Sequence, residues 1–330
     1  WSLSRVAVPS SELHVALQED LTRAIGKVPE QSLGPSLLAV ARTISGGVQQ
    51  KELEPDLRLF DEAEVRLQNS IGNFRAREIA SVVLAYSLMH AGSVELYAVL
   101  QTACLQRYRD FPMEQVASLL WSFATVRMGP ALFREVQVEI LESLNQLTVP
   151  SICDILWSYC VVRHHDPHFF KTLLTTLVPS RLVDDPRCAM LCPALLDARA
   201  KFPDMDPEGI ERYLGYTVEQ FRDLQLASAP TAQQLLTLTI ALDSLGLEYE
   251  ELADVDGYVV DILVPAVNME TGDGIERPLA VLLHSPRRTL HRRTGEPLGQ
   301  AMMRHRHLRS TGHLVVNIWD RSWGELDEEG

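Results

Sequence analysis

The sequence predicts a mostly helical chain: an α-solenoid of helical-hairpin repeats followed by a small C-terminal α/β domain. The first observation is a repeated phrase. QVASLLWSFATVR, from Gln115 to Arg127, returns as SICDILWSYCVVR, from Ser151 to Arg163, with the two tryptophans 36 residues apart. The second observation is a change of pattern near Asp243, where helical spacing gives way to short runs of strand composition.

Each repeat is predicted to be two amphipathic helices joined by a tight turn. In the later copy, apolar residues follow the i, i+3, i+4, i+7 rule from Ile152 to Val162. Asp166 and Pro167 then indicate the N-cap and the first residue of a second apolar helix. We interpret Trp121 and Trp157 as core residues that fill the seam between stacked hairpins.

Related phrases extend this pattern, so about four to six hairpins are predicted over residues 30–245. His90, Arg127 and Arg163 fall at the same place in three repeats, at the end of the first helix. One interpretation is that each side chain complements the dipole of its helix C-terminus. The other is that they line one edge of the solenoid at a regular spacing that suits a strand of phosphates.

Composition limits the class of protein. The 330 residues are 46% hydrophobic and 22% charged, as in an ordinary folded protein. No apolar run approaches the roughly 18–20 residues that span a bilayer, so no membrane segment is predicted. Five scattered cysteines without paired spacings favour buried thiols in a reducing compartment. The chain starts at Trp1, and we expect any targeting peptide to lie outside it.

The charge of the chain is unevenly distributed. The formal net charge of −14 argues against general affinity for nucleic acid. Between His284 and His313, however, seven arginines accompany a single acid, Glu296, so this stretch carries about +6 and the rest about −20. A basic patch on an acidic protein indicates an oriented contact with an anionic partner. The candidate RNA-binding residues are Arg287, Arg288, Arg292, Arg293, Arg304, His305, Arg306, His307 and Arg309, with Arg127 and Arg163 on the repeat edge.

The last eighty or so residues contain three runs of strand composition, Tyr258–Val264, Pro278–His284 and His313–Trp319. The acidic stretch LGLEYEELADVDG before them ends in a turn. Between the last two runs, LGQAMMRHRHLRSTG predicts a helix with Gly312 as its C-terminal stop. The order strand, strand, helix, strand predicts a small α/β domain.

Residues 252–326 resemble the RAP domain, an RNA-binding domain abundant in apicomplexans. The resemblance depends on the order of VDGYVVDIL, LAVLLHSP and MMRHRHLRSTGHLVVNIWDRSW, with Asp261 in the first strand and Trp323 after the last. The hairpins are similar to the octotricopeptide-like repeats that accompany such domains, through the A-x-x-L-W-x-x-A phrase at Ala117–Ala124. The predicted divisions are an N-terminal segment at 1–29, the repeat array at 30–245 and the RAP domain at 252–326.

The resemblance implies a restriction-endonuclease-like fold. Such nucleases need a metal-binding Asp and then Glu-x-Lys on the next strand, so that carboxylates hold a divalent ion. Here Asp261 is present, but Leu282 occupies the Glu place and His284 the Lys place. We therefore expect no catalytic residues, no metal and no cofactor, and an active nuclease is the least favoured alternative.

Two functions of different classes remain. The first is a non-catalytic RNA-binding protein of the mitochondrion, or alternatively the plastid. Its specific form is a subunit of the mitochondrial ribosome that contacts ribosomal RNA through the C-terminal basic patch, with other ribonucleoprotein components on its acidic repeats. An organellar RNA processing or stability factor is the variant of this hypothesis. The second is a protein-interaction scaffold whose terminal domain is a vestigial nuclease fold.

Overall fold

A computed structural model of the chain describes residues 11–47, 57–182, 185–267, 277–285 and 289–319. In these ranges the chain is mostly helical and carries one small mixed β-sheet near its C-terminus, which confirms the coarse fold class. None of the helices described there is long and apolar enough to cross a membrane. All five cysteines are buried free thiols, as their spacing indicates.

The described residues form thirteen α-helices: α1 (Ser11–Ala24), α2 (Glu30–Gly47), α3 (Arg58–Ser70), α4 (Ala76–Leu88), α5 (Val94–Arg107), α6 (Met113–Thr125), α7 (Pro130–Glu142), α8 (Val149–Val161), α9 (Pro167–Thr176), α10 (Leu191–Lys201), α11 (Pro207–Leu226), α12 (Ala232–Ser244) and α13 (Gly299–Ser310). The predicted N-cap of α9 is confirmed, because the Asp166 carboxylate accepts the backbone N–H groups of His168 and Phe169. The predicted stop of α13 is also confirmed, with Gly312 in a left-handed conformation at φ 93°.

The chain divides into two compact units, and their boundaries differ from the predicted ones. One comprises Trp1–His164 with His291–Gly299, and the other comprises His165–Leu290 with Gln300–Gly330. The first unit therefore contains α1–α8, and the second contains α9–α12 and the sheet. The helical region predicted over residues 30–245 is shared between the two units.

In the first unit the helices alternate between two rows. Helices α2, α4, α6 and α8 each pack on the next member of one row, and α3, α5 and α7 form the other. Buried tyrosines tie the rows together. The Tyr86 hydroxyl donates to the carbonyl oxygen of Phe60 at 2.6 Å, and the Tyr159 hydroxyl donates to that of Phe133 at 2.7 Å. Each bond joins residues 26 positions apart, so the same contact recurs in two copies of the repeat.

The two repeated tryptophans lie next to each other on α6 and α8, with ring centroids 6.3 Å apart. Trp157 is 2% exposed, as expected for a core residue. Trp121 is only partly buried, so it lies at the edge of the core that was predicted for both rings.

The second unit contains a sheet whose strands, within the described residues, follow the order β1-β2-β3-β4. The strands are β1 (Glu250–Val255), β2 (Tyr258–Val267), β3 (Arg277–His284) and β4 (Leu314–Trp319). The first two neighbouring pairs are antiparallel, and β3 and β4 are parallel. The predicted strand, strand, helix, strand order is confirmed, with α13 placed between the parallel strands in the sequence.

Strand β1 lies in the acidic stretch LGLEYEELADVDG, for which the sequence pattern predicts a turn but no strand. Its sequence, EELADV, is rich in acids, which are uncommon in strands. The signal that identifies it is the pair Asp256–Gly257, whose φ angles are 51° and 86°. Positive φ at both central residues is what a two-residue type I′ hairpin requires. Val255 pairs with Tyr258 directly across this turn.

Helix α12 packs against the sheet, although the repeat pattern predicts it as part of the helical array. Its buried face is made by leucines at helical spacing, and the sheet contributes aliphatic residues from β2 and β3. The buried members of this cluster are Leu235, Leu238, Leu242, Ile262, Val264 and Val281. The α12 helix is therefore part of the core of the α/β domain.

Candidate functional site

Three equivalent helix ends in the first unit hold non-glycine residues in the left-handed region. His90, Arg127 and Arg163 follow α4, α6 and α8, with φ of 50°, 59° and 61°. At each end, this residue and the next one donate their N–H groups to carbonyls of the last helical turn at 2.9–3.1 Å. This is the Schellman pattern of helix termination. The predicted equivalence of the three positions is confirmed.

The left-handed backbone is unfavourable for these side chains. An L-residue in this conformation costs about 1–2 kcal/mol, and glycine is the usual residue at such a helix end. Histidine or arginine nevertheless occupies all three positions. A strained residue kept at equivalent positions is a reason to look for a use of its side chain.

The members of this row differ in their surroundings. Arg163 is exposed. Arg127 is 37% exposed; its guanidinium donates to the Pro297 carbonyl at 3.2 Å and lies 3.7 Å from the Glu296 carboxylate. The carbonyl of His90 accepts the N–H of Arg292 at 2.8 Å. Arg127 and Arg163 are thus both exposed, and Arg127 is the one that also contacts Pro297 and Glu296.

The segment His291–Gly299, which we call the crossover segment, lies against these helix ends within the first unit. His291 is buried, and its ring lies 6.3 Å from that of Tyr97. Arg293 lies 2.8 Å from Glu64, which is buried, and 3.6 Å from Asp61. Arg293, a predicted RNA contact, therefore forms ion pairs within the first unit. One of these pairs neutralises a buried carboxylate. Its neighbour Arg292 is half-buried.

In the second unit, α13 directs several basic residues inward. The Arg304 guanidinium donates to the Val259 carbonyl and lies 3.5 Å from the Asp261 carboxylate, which also accepts the Leu283 N–H at 2.9 Å. Burial raises the pKa of Asp261, against the opposing effect of Arg304. Asp261 therefore binds α13 to β2 and β3.

A second buried carboxylate, Asp197 on α10, contacts two other residues of α13, Arg306 and His307. Arg306 donates to it at 3.0 Å and His307 Nε2 at 2.8 Å, and His165 Nδ1 lies at 3.4 Å. The other ring nitrogen of His307, Nδ1, is 2.8 Å from the Tyr258 hydroxyl. Burial alone would raise the pKa of Asp197, but the His307 hydrogen bond and the Arg306 charge hold it below its usual value.

Asp197 is missing from the candidates chosen from the sequence. The signal that marks it is a single acid inside the apolar phrase PALLDARA, at a position on the buried face of α10. A lone carboxylate in such a place needs cationic partners when the helix packs.

A polar chain links β3, β4 and α13. His284 Nε2 lies 2.7 Å from the Asn317 amide oxygen, and the Asn317 nitrogen lies 2.9 Å from His305 Nδ1. The Trp319 ring stacks on His284 with centroids 4.6 Å apart. Burial lowers the pKa of His284 to about 4, so this imidazole is neutral at physiological pH.

The structure therefore sorts the predicted RNA contacts. Arg304, Arg306 and His307 are used inside the fold, so their prediction as surface contacts is corrected. The reason is that these three side chains reach two buried carboxylates, Asp261 and Asp197, which need partners inside the fold. Arg309 is exposed. Arg287 and Arg288 lie outside the described residues, as does Trp323.

The positions compared with a nuclease active site are also in place on the sheet. Leu282 is fully buried, and His284 is 4% exposed in the polar chain. The Asp261 carboxylate lies 3.5 Å from the guanidinium of Arg304. Within the part of the chain that the structure describes, no group of three or more potential metal ligands is found.

Comparison with protein-family models returns no match, and neither does comparison with curated proteins. The functional assignment therefore depends on the residues and their geometry.

Replacement of Arg163 tests whether the helix end is strained. We expect Arg163→Gly to be more stable than Arg163→Ala by about 1 kcal/mol, because glycine adopts the left-handed conformation without steric cost. Urea unfolding of the two variants measures the difference. Equal stabilities would show that this helix end is not strained.

Replacement of Asp197 tests the buried ion-pair cluster. We expect Asp197→Asn to lower the free energy of unfolding at neutral pH by about 3 kcal/mol, since it removes the anion that the inward Arg306 and His307 contact. Because the folded pKa of Asp197 is below its unfolded value, this contribution is present above about pH 4 and is lost as the pH falls below it. Urea unfolding against pH should therefore show the two curves converging in acid. The exposed Asp223→Asn change is the control, and an equally small effect of both would contradict the assignment.

The lowered pKa of His284 predicts a second pH dependence, at higher pH. The folded protein resists protonation of this ring, so its contribution is complete above about pH 6.5 and is lost as the pH falls towards 4. In this window the wild-type free energy of unfolding should fall by up to about 1.4 kcal/mol per pH unit more than that of His284→Gln. Parallel curves for the two proteins would show that His284 protonates as readily in the folded state.

Proposed function

We propose that this chain is a non-catalytic RNA-binding protein of the RAP type, in which an α-solenoid of octotricopeptide-like hairpins precedes a restriction-endonuclease-like RAP domain. The alternating rows of helices and the strand, strand, helix, strand order support this identity. The resemblance of residues 252–326 to RAP domains supplies the link to RNA.

The observation that carries the proposal is the row of left-handed helix ends at His90, Arg127 and Arg163. Their helices are successive neighbours in one row of the first unit. Packed helices lie about 8–10 Å apart, so the row presents basic side chains at a regular interval along one edge. Such an array suits the repeated charges of a nucleic-acid backbone, and a functional use offsets the conformational strain.

Arg163 is proposed as the principal phosphate contact of the first unit, because Arg127 already contacts the crossover segment. In the second unit the exposed Arg309 is proposed for the same role. Arg287 and Arg288 remain candidate contacts. Arg304, Arg306 and His307 are proposed to act indirectly, by holding α13 in place.

The absence of catalysis is part of the proposal. The carboxylate of Asp261 is neutralised by Arg304, and Leu282 contributes no ligand beside it. We propose that the protein works in the mitochondrion as a permanent component of a ribonucleoprotein, with the mitochondrial ribosome as the specific case and ribosomal RNA as the ligand. A processing or stability factor, or a plastid location, is the alternative within the same class.

A charge-reversal experiment tests the RNA contacts. We expect Arg163→Glu/Arg309→Glu to bind single-stranded RNA about tenfold more weakly, with the slope of log affinity against log salt reduced by roughly 0.7 for each lost phosphate contact. The matched control is Arg134→Glu/Arg181→Glu, which changes one exposed arginine in each unit by the same charge. Fluorescence anisotropy with a labelled RNA measures both. Equal losses in the two double variants would reduce the effect to net charge and contradict the assignment.

Ultraviolet crosslinking of the native protein, followed by sequencing of the RNA, distinguishes the forms of the proposal. Crosslinks to one organellar ribosomal RNA support the ribosomal subunit. Crosslinks to many messages support a processing or stability factor. RNA at background level with co-purifying proteins favours the scaffold function instead.

A further inference from the structure

Exposed apolar side chains are concentrated in one short part of the second unit. In the described part of the chain, eleven large hydrophobic side chains are exposed, and five of them lie between residues 224 and 245. Of these five, the most exposed are Leu236 (58%), Ile240 (59%) and Leu245 (71%). Single exposed hydrophobic residues are common, but a cluster of this kind on one element marks an interaction surface.

Two of these residues, Leu236 and Ile240, lie on the side of α12 opposite the sheet. Leu235, Leu238 and Leu242 form the buried side of the helix. Leu236 and Ile240 are four residues apart, so they form a stripe on the other side. A surface helix normally has one apolar face, whereas this one has two. We call Leu236 and Ile240 the outer face of α12.

The charged residues nearest this face in the sequence are acidic. Asp243 continues the stripe three residues after Ile240, and Glu248 and Glu250 follow the helix; all three are exposed. The nearest base before the helix, Arg222, lies 3.6 Å from Asp254. An acidic rim repels the phosphates of RNA, and it also repels an identical rim on a second copy of the chain.

We propose that the outer face of α12 is a docking surface for a partner protein, which binds it through an amphipathic helix with an apolar stripe and basic flanks. Leu236 and Ile240 pack into the apolar stripe, because residues four apart on one helix form a ridge that fits a groove of another helix. Asp243, Glu248 and Glu250 select for lysine and arginine beside it. None of these residues is among the proposed RNA contacts at Arg163 and Arg309.

The test uses two synthetic amphipathic peptides of about 18 residues, long enough to form a helix on binding. Both carry the same leucine stripe; one has lysine flanks and the other glutamate flanks. We expect the lysine peptide to bind wild-type protein at least about tenfold more tightly than the glutamate peptide. Leu236→Gln/Ile240→Gln should weaken its binding by at least about tenfold, since two aliphatic contacts are lost.

The control variant is Val65→Gln/Val138→Gln, which removes two side chains that are 65% and 62% exposed in the first unit. It should leave lysine-peptide binding unchanged. Equal binding of the two peptides, no binding of either, or equal loss in both variants would overturn the proposal. So would a wild-type dimer in sedimentation velocity that the Leu236→Gln/Ile240→Gln change converts to a monomer, because a second copy would then cover the face.

RNA affinity of the same variants separates this inference from the proposed function. We expect Leu236→Gln/Ile240→Gln to bind single-stranded RNA as wild type does. If RNA binding fails in every form of the protein while the lysine peptide still discriminates, the proposed function is wrong and the docking surface stands. If RNA affinity falls together with peptide affinity, the outer face is an RNA contact and the docking proposal is wrong.

Discussion

The second unit depends on one buried anion, the carboxylate of Asp197. A charge on the buried face of an apolar helix is tolerated only with partners, and here Arg306, His307 and His165 supply them. Two of these partners lie on α13, so the ion pairs fix where that helix packs. Since α13 connects the parallel strands β3 and β4, its position also governs how the chain returns to the sheet. The Tyr258 hydroxyl extends the same network from His307 to β2.

This constraint changes the meaning of the basic C-terminal stretch. Its charge of about +6 suggests a continuous cationic surface, but the fold divides it into two groups. Arg293, Arg304 and Arg306 each compensate a buried carboxylate, at Glu64, Asp261 and Asp197. Counting these residues as free positive charge therefore overstates the net charge that this stretch can present to a partner. Arg309, in contrast, is exposed.

The two units also present different surfaces to possible partners. The first unit repeats one strained helix end at His90, Arg127 and Arg163, where glycine would adopt the left-handed backbone conformation at lower cost. The second unit exposes apolar residues on α12 beside an acidic rim. A regular basic edge suits a polyanion, whereas an apolar stripe with acidic flanks suits a basic protein segment.

Local sequence was sufficient for features that depend on neighbours in the chain. The 36-residue recurrence, the Asp166 N-cap, the Gly312 stop and three of the strands follow from periodicity and capping chemistry. The equivalence of the three helix ends was also readable, because repeats place equivalent residues at equal intervals. The Asp256–Gly257 pair would have revealed β1 as well, since its turn type is a local property.

The tertiary structure alone decided which polar and apolar residues meet. The sequence shows a basic stretch and a lone Asp197 more than a hundred residues earlier, but nothing local states that they pair. Likewise, α12 has leucines on two faces, and only packing against the sheet determines which face is buried. Burial and charge compensation depend on contacts between distant segments. For that reason the repeat pattern and most elements of this protein were determined by its sequence pattern, and the division of its charges between core and surface was decided by the fold.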